Sequence, residues 1–377
     1  MAIPSSFAEF LGNPSTVESL RAAIAAGRLP HSMIVAGPRG AGKYTLALML
    51  TMALQCEQQP RETAPDGRPL ANFCGVCRNC TRIAESAELE QKVEEAVAAR
   101  EDMRETDKKD TRVLVQTHPD VLILPPDPPQ LLIKLGQVRT LIGRSQRMPS
   151  EAPAKVFIIT TASFMKEAAN SLLKVLEEPP TYAHILILAE NLGELLPTIR
   201  SRCAIVRLGA LPAEEIETLL TRLRPESNKT ERALLARLSE GAVGRALGFN
   251  LAEYVAARAD ALIIMRGAVQ TGDHSSLFRM TETYRAGAEG QAKTTALLRA
   301  LASVLEDVLL LQGGSPERIR NTDIREELRR FSESVDFAWL EEAVRGLDAV
   351  QSGMRRNLLR SLSLDAFAAE LGVAGRL

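Results

Sequence analysis

The sequence predicts an α/β domain followed by all-α structure, and three observations carry that expectation. Short apolar runs alternate with helical periodicity up to about residue 210. A glycine-rich loop joins the first apolar run to a helix, as a phosphate-binding α/β unit requires. Beyond that point helical spacing continues to Leu377 with almost no strand signal.

In order, residues 15–28 have the spacing of an amphipathic helix closed by Gly27, and His31–Ala36 suits a buried strand. Tyr44–Leu54 resumes helical spacing after the loop. Val121–Leu124 is a strand candidate stopped by Pro125 and Pro126, and Gly136–Arg147 is helical. Lys155–Thr161 is the clearest buried strand because β-branched residues dominate it. Glu167–Glu178 forms a helix that Pro179 and Pro180 end. Ile185–Ala189 and Ala204–Leu208 are strands flanking a helix start at Pro197–Arg202. Strands alternating with helices imply a parallel sheet covered on both faces. Pro212 opens a helix through Leu223, and another runs from Thr230 to Leu238. The expected division is an α/β domain over 1–210, a small helical domain over 211–252 and a larger helical domain over 253–377.

The 377 residues exceed what one core usually absorbs, which agrees with several domains. Forty-six Lys and Arg against 47 Asp and Glu leave a net charge of -1, which excludes a polycationic nucleic-acid packager. No run approaches 18 apolar residues, and the first basic residue is Arg21, so neither a membrane span nor a secretory signal is expected. Five cysteines are too few for a disulfide scaffold of this size, and a cytoplasmic, reducing setting follows. Residues 83–112 are about half charged and are expected to form a solvated helical insertion or a mobile loop rather than core, with a partner contact as the alternative.

Gly37, Gly40, Gly42 and Lys43 lie in a G-x-x-x-x-G-K pattern between a strand and a helix. Glycines let backbone N–H groups approach phosphate oxygens, the helix N-terminus adds a favourable dipole, and Lys43 reaches the terminal phosphates of a nucleotide such as ATP. Hydrolysis also wants Ser or Thr directly after the lysine as a magnesium ligand. Tyr44 stands there instead, and Thr45 is about 100° farther round the helix. The apolar strand that normally ends in acidic magnesium ligands ends here in Thr160-Thr161-Ala162-Ser163. Two magnesium positions are therefore missing, and nucleotide binding without turnover is the expectation.

Cys74-x-x-Cys77-x-x-Cys80, with Cys56 upstream, supplies four thiolates over about residues 56–80. C-x-x-C turns present two sulfurs to one metal, and four thiolates close a tetrahedral structural zinc site with no position left for catalysis. His118 competes with Cys56 for the fourth position. Ordinary reduced thiols, or a redox pair, are the alternative.

Ser201-Arg202-Cys203 follows Thr198-Ile199-Arg200 and precedes an apolar strand. Upstream stand Ala169-Asn170-Ser171-Leu172-Leu173-Lys174-Val175-Leu176-Glu177-Glu178-Pro179-Pro180 and Gly27-Arg28-Leu29-Pro30-His31. Together these closely resemble bacterial clamp-loader subunits of the AAA+ class, over nearly all of the first 250 residues. Within that family they are most similar to the delta-prime branch of DNA polymerase III, since the hydrolysing gamma/tau branch keeps both magnesium positions. The resemblance implies an AAA+ P-loop domain with an inserted four-cysteine zinc module, a helical lid over 211–252 and an oligomerising helical collar over 253–377. It implies gamma/tau and delta clamp-loader subunits as partners, with a sliding clamp and primed DNA reached through the complex. It gives Arg202 the role of an arginine finger, a guanidinium offered across an interface to a neighbour's γ-phosphate. Without the resemblance, Arg202 would sooner cap a helix or pair with a surface carboxylate. Gly241-Ala242-Val243-Gly244-Arg245 is similar to the family's second sensor, where Arg245 would face the nucleotide or merely brace the lid. The stretch Ala189-Glu190-Asn191 is too irregular to assign as the first sensor. Met354-Arg355-Arg356-Asn357 is expected to belong to a collar element. The competing classes are an autonomous ATPase using Lys43 for its own hydrolysis and a zinc-bearing DNA-binding module.

Overall fold

The computed structural model describes residues 3–104, 112–269, 284, 288–355 and 360–374. Part of the charged insertion, 105–111, and Arg356 with Asn357 of the expected collar element lie outside the described residues. The chain divides into two compact units: 1–211 with 241–245, and 212–240 with 246–377.

A six-stranded sheet organises the first unit, with β1 (Ser32–Ala36), β4 (Val115–His118), β5 (Val121–Leu124), β6 (Lys155–Ile159), β7 (Ala183–Ala189) and β8 (Ala204–Arg207). Their order is β4-β5-β6-β7-β1-β8. Neighbours from β5 to β8 pair in parallel, with Ile34 opposite Ile187 on one side and Ile205 on the other. Successive β1 residues serve opposite faces. Met33 and Val35 enter one core with the helix that follows the loop, and Ile34 and Ala36 enter the other with Leu141 and Leu172. Burial on both faces explains why β1, β5, β6 and β7 are continuous apolar runs rather than alternating ones, whereas β8 at the sheet edge is largely exposed.

All five expected strands form. The longest expected one stops at Ile159, because the chain leaves the ladder after the Thr160 N–H bonds to the Leu124 carbonyl at 3.1 Å. Two features were not expected. β4 is antiparallel to β5, so the sheet is not parallel throughout, and a small hairpin pairs β2 (Arg61–Thr63) with β3 (Pro69–Ala71). Both are short and polar on an exposed side, which leaves little apolar pattern to read.

The helices of this unit are α1 (Pro14–Ala25), α2 (Lys43–Gln55), α3 (Arg78–Ala84), α4 (Leu89–Glu101), α5 (Leu135–Ser145), α6 (Lys166–Glu177) and α7 (Pro197–Arg200). Gly27 ends α1 with φ near +62°, and the Arg28 N–H returns to the Ala23 carbonyl at 2.8 Å. Arg21 on α1 is buried, donating to the Ala71 carbonyl at 2.9 Å and to Glu62 at 2.6 Å, with Phe7 beneath its guanidinium. That contact seats the β2–β3 hairpin on α1. Helix α4 lies within the charged stretch and has no fully buried residue, whereas Ile83 and Ser86 at the start of that stretch are fully buried. Leu89 and Val93 nevertheless pack on the core, and Arg100 Nη1 bonds Asp127 Oδ1 at 2.7 Å. The amphipathic seam lays α4 along β4, the edge of the sheet.

The second unit is helical. It contains α8 (Ala213–Leu223), α9 (Lys229–Leu238), the end of α10 (Val243–Gly248), α11 (Leu251–Val269), α12 (Ala288–Gln312), α13 (Arg325–Ser334), α14 (Phe337–Arg355) and α15 (Arg360–Ala374). Leu234 and Leu238 share one apolar core with Leu301, Val304, Trp339 and Phe367. A buried polar cluster threads that core. Asn321 accepts from Tyr254 and Arg258 and donates to Asp307, while Arg258 also forms a salt bridge with Asp323. Such a network is stable only when every member is satisfied. No helix among the described residues is long and apolar enough to cross a membrane.

At the N-terminal ends of β1 and β7, His31 and His184 stack with ring centroids 4.9 Å apart. Burial, and secondarily the neighbouring His31, lowers the His184 pKa against an opposing hydrogen bond to the Pro30 carbonyl. The unfolded chain therefore takes up a proton first, so this contribution is present above about pH 6.5 and lost as pH falls through that value towards the folded pKa. The expected outcome is a first unfolding transition that drops between pH 7 and 5.5, with a shallower drop in His184→Gln, measured by thermal melts across that range.

Candidate functional site

The loop from Gly37 to Gly42 leaves the C-terminal end of β1 and enters α2. Gly40 and Gly42 have φ near +82° and +83°, the left-handed region that glycine tolerates. A Cβ on Gly40 would lie 2.6 Å from the Arg245 backbone nitrogen, and the Gly244 N–H donates to the Gly40 carbonyl at 2.9 Å. The Gly241–Arg245 segment is thus seated on the loop by its backbone. Phe10, not anticipated, closes on Gly42 from the other side, 3.1 Å from where a Cβ would stand.

Lys43 folds onto its own loop, with Nζ donating to the carbonyls of Gly37 at 2.6 Å and Pro38 at 2.9 Å. Burial pulls its pKa down, opposed by the charges of Glu190 and Glu194 just beyond β7. Asn191 sits between these carboxylates and accepts from the Gly193 N–H, capping a short helical turn. The irregular stretch after β7 therefore contributes two acidic groups near the lysine, which no spacing rule would have found.

Tyr44 occupies the position after the lysine, and its phenol donates to the Ser86 carbonyl at 2.7 Å. Burial raises its pKa, so the group stays a neutral donor. It ties α2 to the segment after the cysteines and offers no oxygen to a metal at the loop. Thr45 follows on the same helix, partly buried.

The Sγ atoms of Cys56, Cys74, Cys77 and Cys80 all lie within 4.8 Å of one another. A tetrahedral zinc–thiolate centre with bonds of about 2.3 Å separates its sulfurs by about 3.8 Å, so the donor set fits a metal of that kind. Backbone N–H groups of Gln59 and Cys74 point at the Cys56 sulfur, and that of Cys77 at Cys74. Burial opposes ionisation at Cys74, but N–H donors from Val76 and Cys77 outweigh it and bring the thiol down to about 7. Burial instead pushes Cys56 and Cys80 up. His118 does not join the cluster. Its Nε2 pairs with Asn79 and its Nδ1 accepts from the Asp120 N–H, so Cys56 supplies the fourth sulfur. Cys203 stands apart, packed on the other core, its thiol pushed up to about 11 by burial.

Arg202 lies in the short turn between α7 and β8. Its Nη1 donates to the Thr198 carbonyl at 3.0 Å, and its Nε donates to Glu177 Oε2 at 3.1 Å. In the isolated chain it does pair with a surface carboxylate. Ser201 shapes the turn by donating to the Thr198 carbonyl at 3.1 Å.

A family model described as DNA polymerase III, delta subunit matches residues 12–212, more than half of the chain. The chain belongs to that family. Its first unit combines a mostly parallel sheet and a glycine-rich loop with a four-cysteine cluster whose sulfurs are close enough to share a metal ion. Curated relatives include the Escherichia coli DNA polymerase III subunit delta', 28% identical over 310 residues, which are 81% of this chain and 78% of that one. The Bacillus subtilis subunit delta' is 24% identical over 85% of this chain and 84% of its own. The Mycobacterium tuberculosis subunit gamma/tau is 31% identical over 58% of this chain but only 31% of its own length. The chain thus spans about a third of the gamma/tau relatives. Among solved structures, a Thermotoga maritima gamma subunit-related protein aligns over 96% of this chain and 100% of its own, at 17% identity and a TM-score of 0.40.

A side chain at Gly40 would meet both a positive φ and the Arg245 backbone. Gly40→Ala is expected to destabilise the first unit by about 1–3 kcal/mol, read as a lower midpoint for its transition in urea.

Proposed function

We propose that this family member is a delta-prime-type clamp-loader subunit, a stator that supplies Arg202 to a neighbouring gamma/tau ATP site and does not hydrolyse ATP itself. One observation carries the proposal. The Ser201-Arg202-Cys203 turn is intact while both magnesium positions are gone, one taken by Tyr44 bonded to Ser86 and the other by Thr160 to Ser163. A guanidinium offered to a γ-phosphate neutralises charge on the transferring group, and such fingers are worth on the order of a thousandfold in GTPases. The extent of the relationships supports the same branch, since the delta' relatives are matched over most of their length and gamma/tau over a third.

In this proposal the loop residues Gly37, Gly40, Gly42, Lys43 and Thr45 hold nucleotide without turnover, and the Gly241–Arg245 segment braces the loop through the Gly244 N–H, with Arg245 as a candidate second sensor. Residues 211–252 act as the lid and 253–377 as the collar that joins gamma/tau and delta subunits. The assembly places a sliding clamp on primed DNA in the cytoplasm. Zinc in the four-cysteine cluster has a structural role. Metal-binding free energies in small modules are on the order of 10 kcal/mol, enough to fix a segment with little core of its own.

Reconstituted with gamma/tau and delta subunits, Arg202→Ala is expected to cut DNA-stimulated ATPase by at least about tenfold at its shared site. Unchanged turnover overturns the stator role, and magnesium-dependent hydrolysis by the isolated chain that Lys43→Ala abolishes establishes a motor instead. Metal analysis should find one zinc per chain, falling below half an equivalent in Cys80→Ser together with a lower first unfolding temperature.

A further inference from the structure

Glu177 occupies a place that electrostatics disfavours. It is the last residue of α6, where the helix dipole presents partial negative charge and a carboxylate is destabilised. Pro179 and Pro180 stop the helix there, so the carboxylate is held at that end. What the position gains is Arg202, whose Nε it accepts at 3.1 Å.

The hold on the guanidinium is one-sided. Glu177 takes Nε, while the Thr198 carbonyl and the Ser201 hydroxyl take Nη1 at 3.0 and 3.4 Å. Nη2 has no partner among the described residues. The grip comes from two elements, α6 and the α7 turn, and fixes a long side chain that would otherwise sample many rotamers. It leaves the far end of the planar fork, the geometry that matches phosphate oxygens, available. The pair is also open to water: Arg202 retains 31% of its side-chain exposure and Glu177 59%. An exposed ion pair contributes little to stability, so folding alone gives weak reason for an acid at a helix C-terminus.

We propose that Glu177 is a positioning residue for Arg202, holding the guanidinium by its Nε edge so that its Nη2 end is presented to the triphosphate of a neighbouring subunit. The inference rests on the stator role proposed above and adds the residue that prepares it. Ordering the finger beforehand lowers the entropy lost when it engages, and the benefit falls on turnover rather than on assembly.

The test uses the complete reconstituted complex, with ATP and primed DNA, and compares Glu177→Gln, Arg202→Ala and the double variant. Glu177→Gln should lower saturated ATPase by roughly two- to fivefold, the range open to an exposed ion pair. The concentration of this chain giving half-maximal stimulation, and its unfolding temperature, should stay unchanged. On the Arg202→Ala background Glu177→Gln should have no further effect, while Glu177→Asp should recover part of the loss. Full turnover in Glu177→Gln with a defective Arg202→Ala overturns this inference alone, as does an equal loss on both backgrounds. Normal turnover in Arg202→Ala overturns the stator role beneath it.

Discussion

The parallel ladders on either side of β1 are the constraint from which the chemistry of the first unit follows. β1 is earliest in sequence yet lies between β7 and β8, the last two strands to be laid down. Its register, Ala36 against Ala189 and Arg207, brings three distant segments to one end of the sheet. The glycine loop leaves β1 there, and Glu190 and Glu194 leave β7 beside it. β8 runs parallel to β1, so it begins at the opposite end, and the Arg202 turn lies there with the end of α6. The loop and the arginine are thus held at opposite ends of the same rigid strands.

Much of this was legible in the residues. Doubly buried strands are apolar throughout, so β1, β5, β6 and β7 stood out, and Pro179, Pro212 and Gly27 marked helix ends by backbone chemistry that tertiary context rarely overrides. The four sulfurs were legible for a similar reason, since spacing along a turn constrains distance in space. What was not legible depends on contacts between remote segments. β4 and the β2–β3 hairpin are short and half exposed, and their stabilisation comes from α4 and from Arg21 rather than from their own pattern. Neither the closeness of Glu190 and Glu194 to Lys43 nor the grip of Glu177 on Arg202 has a sequence signature. Glu177 lay inside a motif that was noticed, but its bonding partner is 25 residues away.

His118 illustrates how geometry decides between candidates that composition leaves level. Imidazole and thiolate are both good zinc donors, and His118 is fully buried. Its two nitrogens are nevertheless engaged by Asn79 and the Asp120 N–H, so the ring serves to join α3 to β4 rather than to complete a metal site. The same economy recurs at Asp120, whose carboxylate receives three N–H groups from Ser150, Glu151 and Ala152 and so moulds the approach to β6.

The bond from Tyr44 to Ser86 makes this position costly to substitute. A tyrosine that has become a strut between α2 and a neighbouring segment is not exchanged for a threonine at no cost, because the shorter hydroxyl would abandon the Ser86 carbonyl and open a hole beside it. A threonine at this position would therefore bring a hydroxyl to the loop only by loosening the attachment of α2 to the segment after the cysteines.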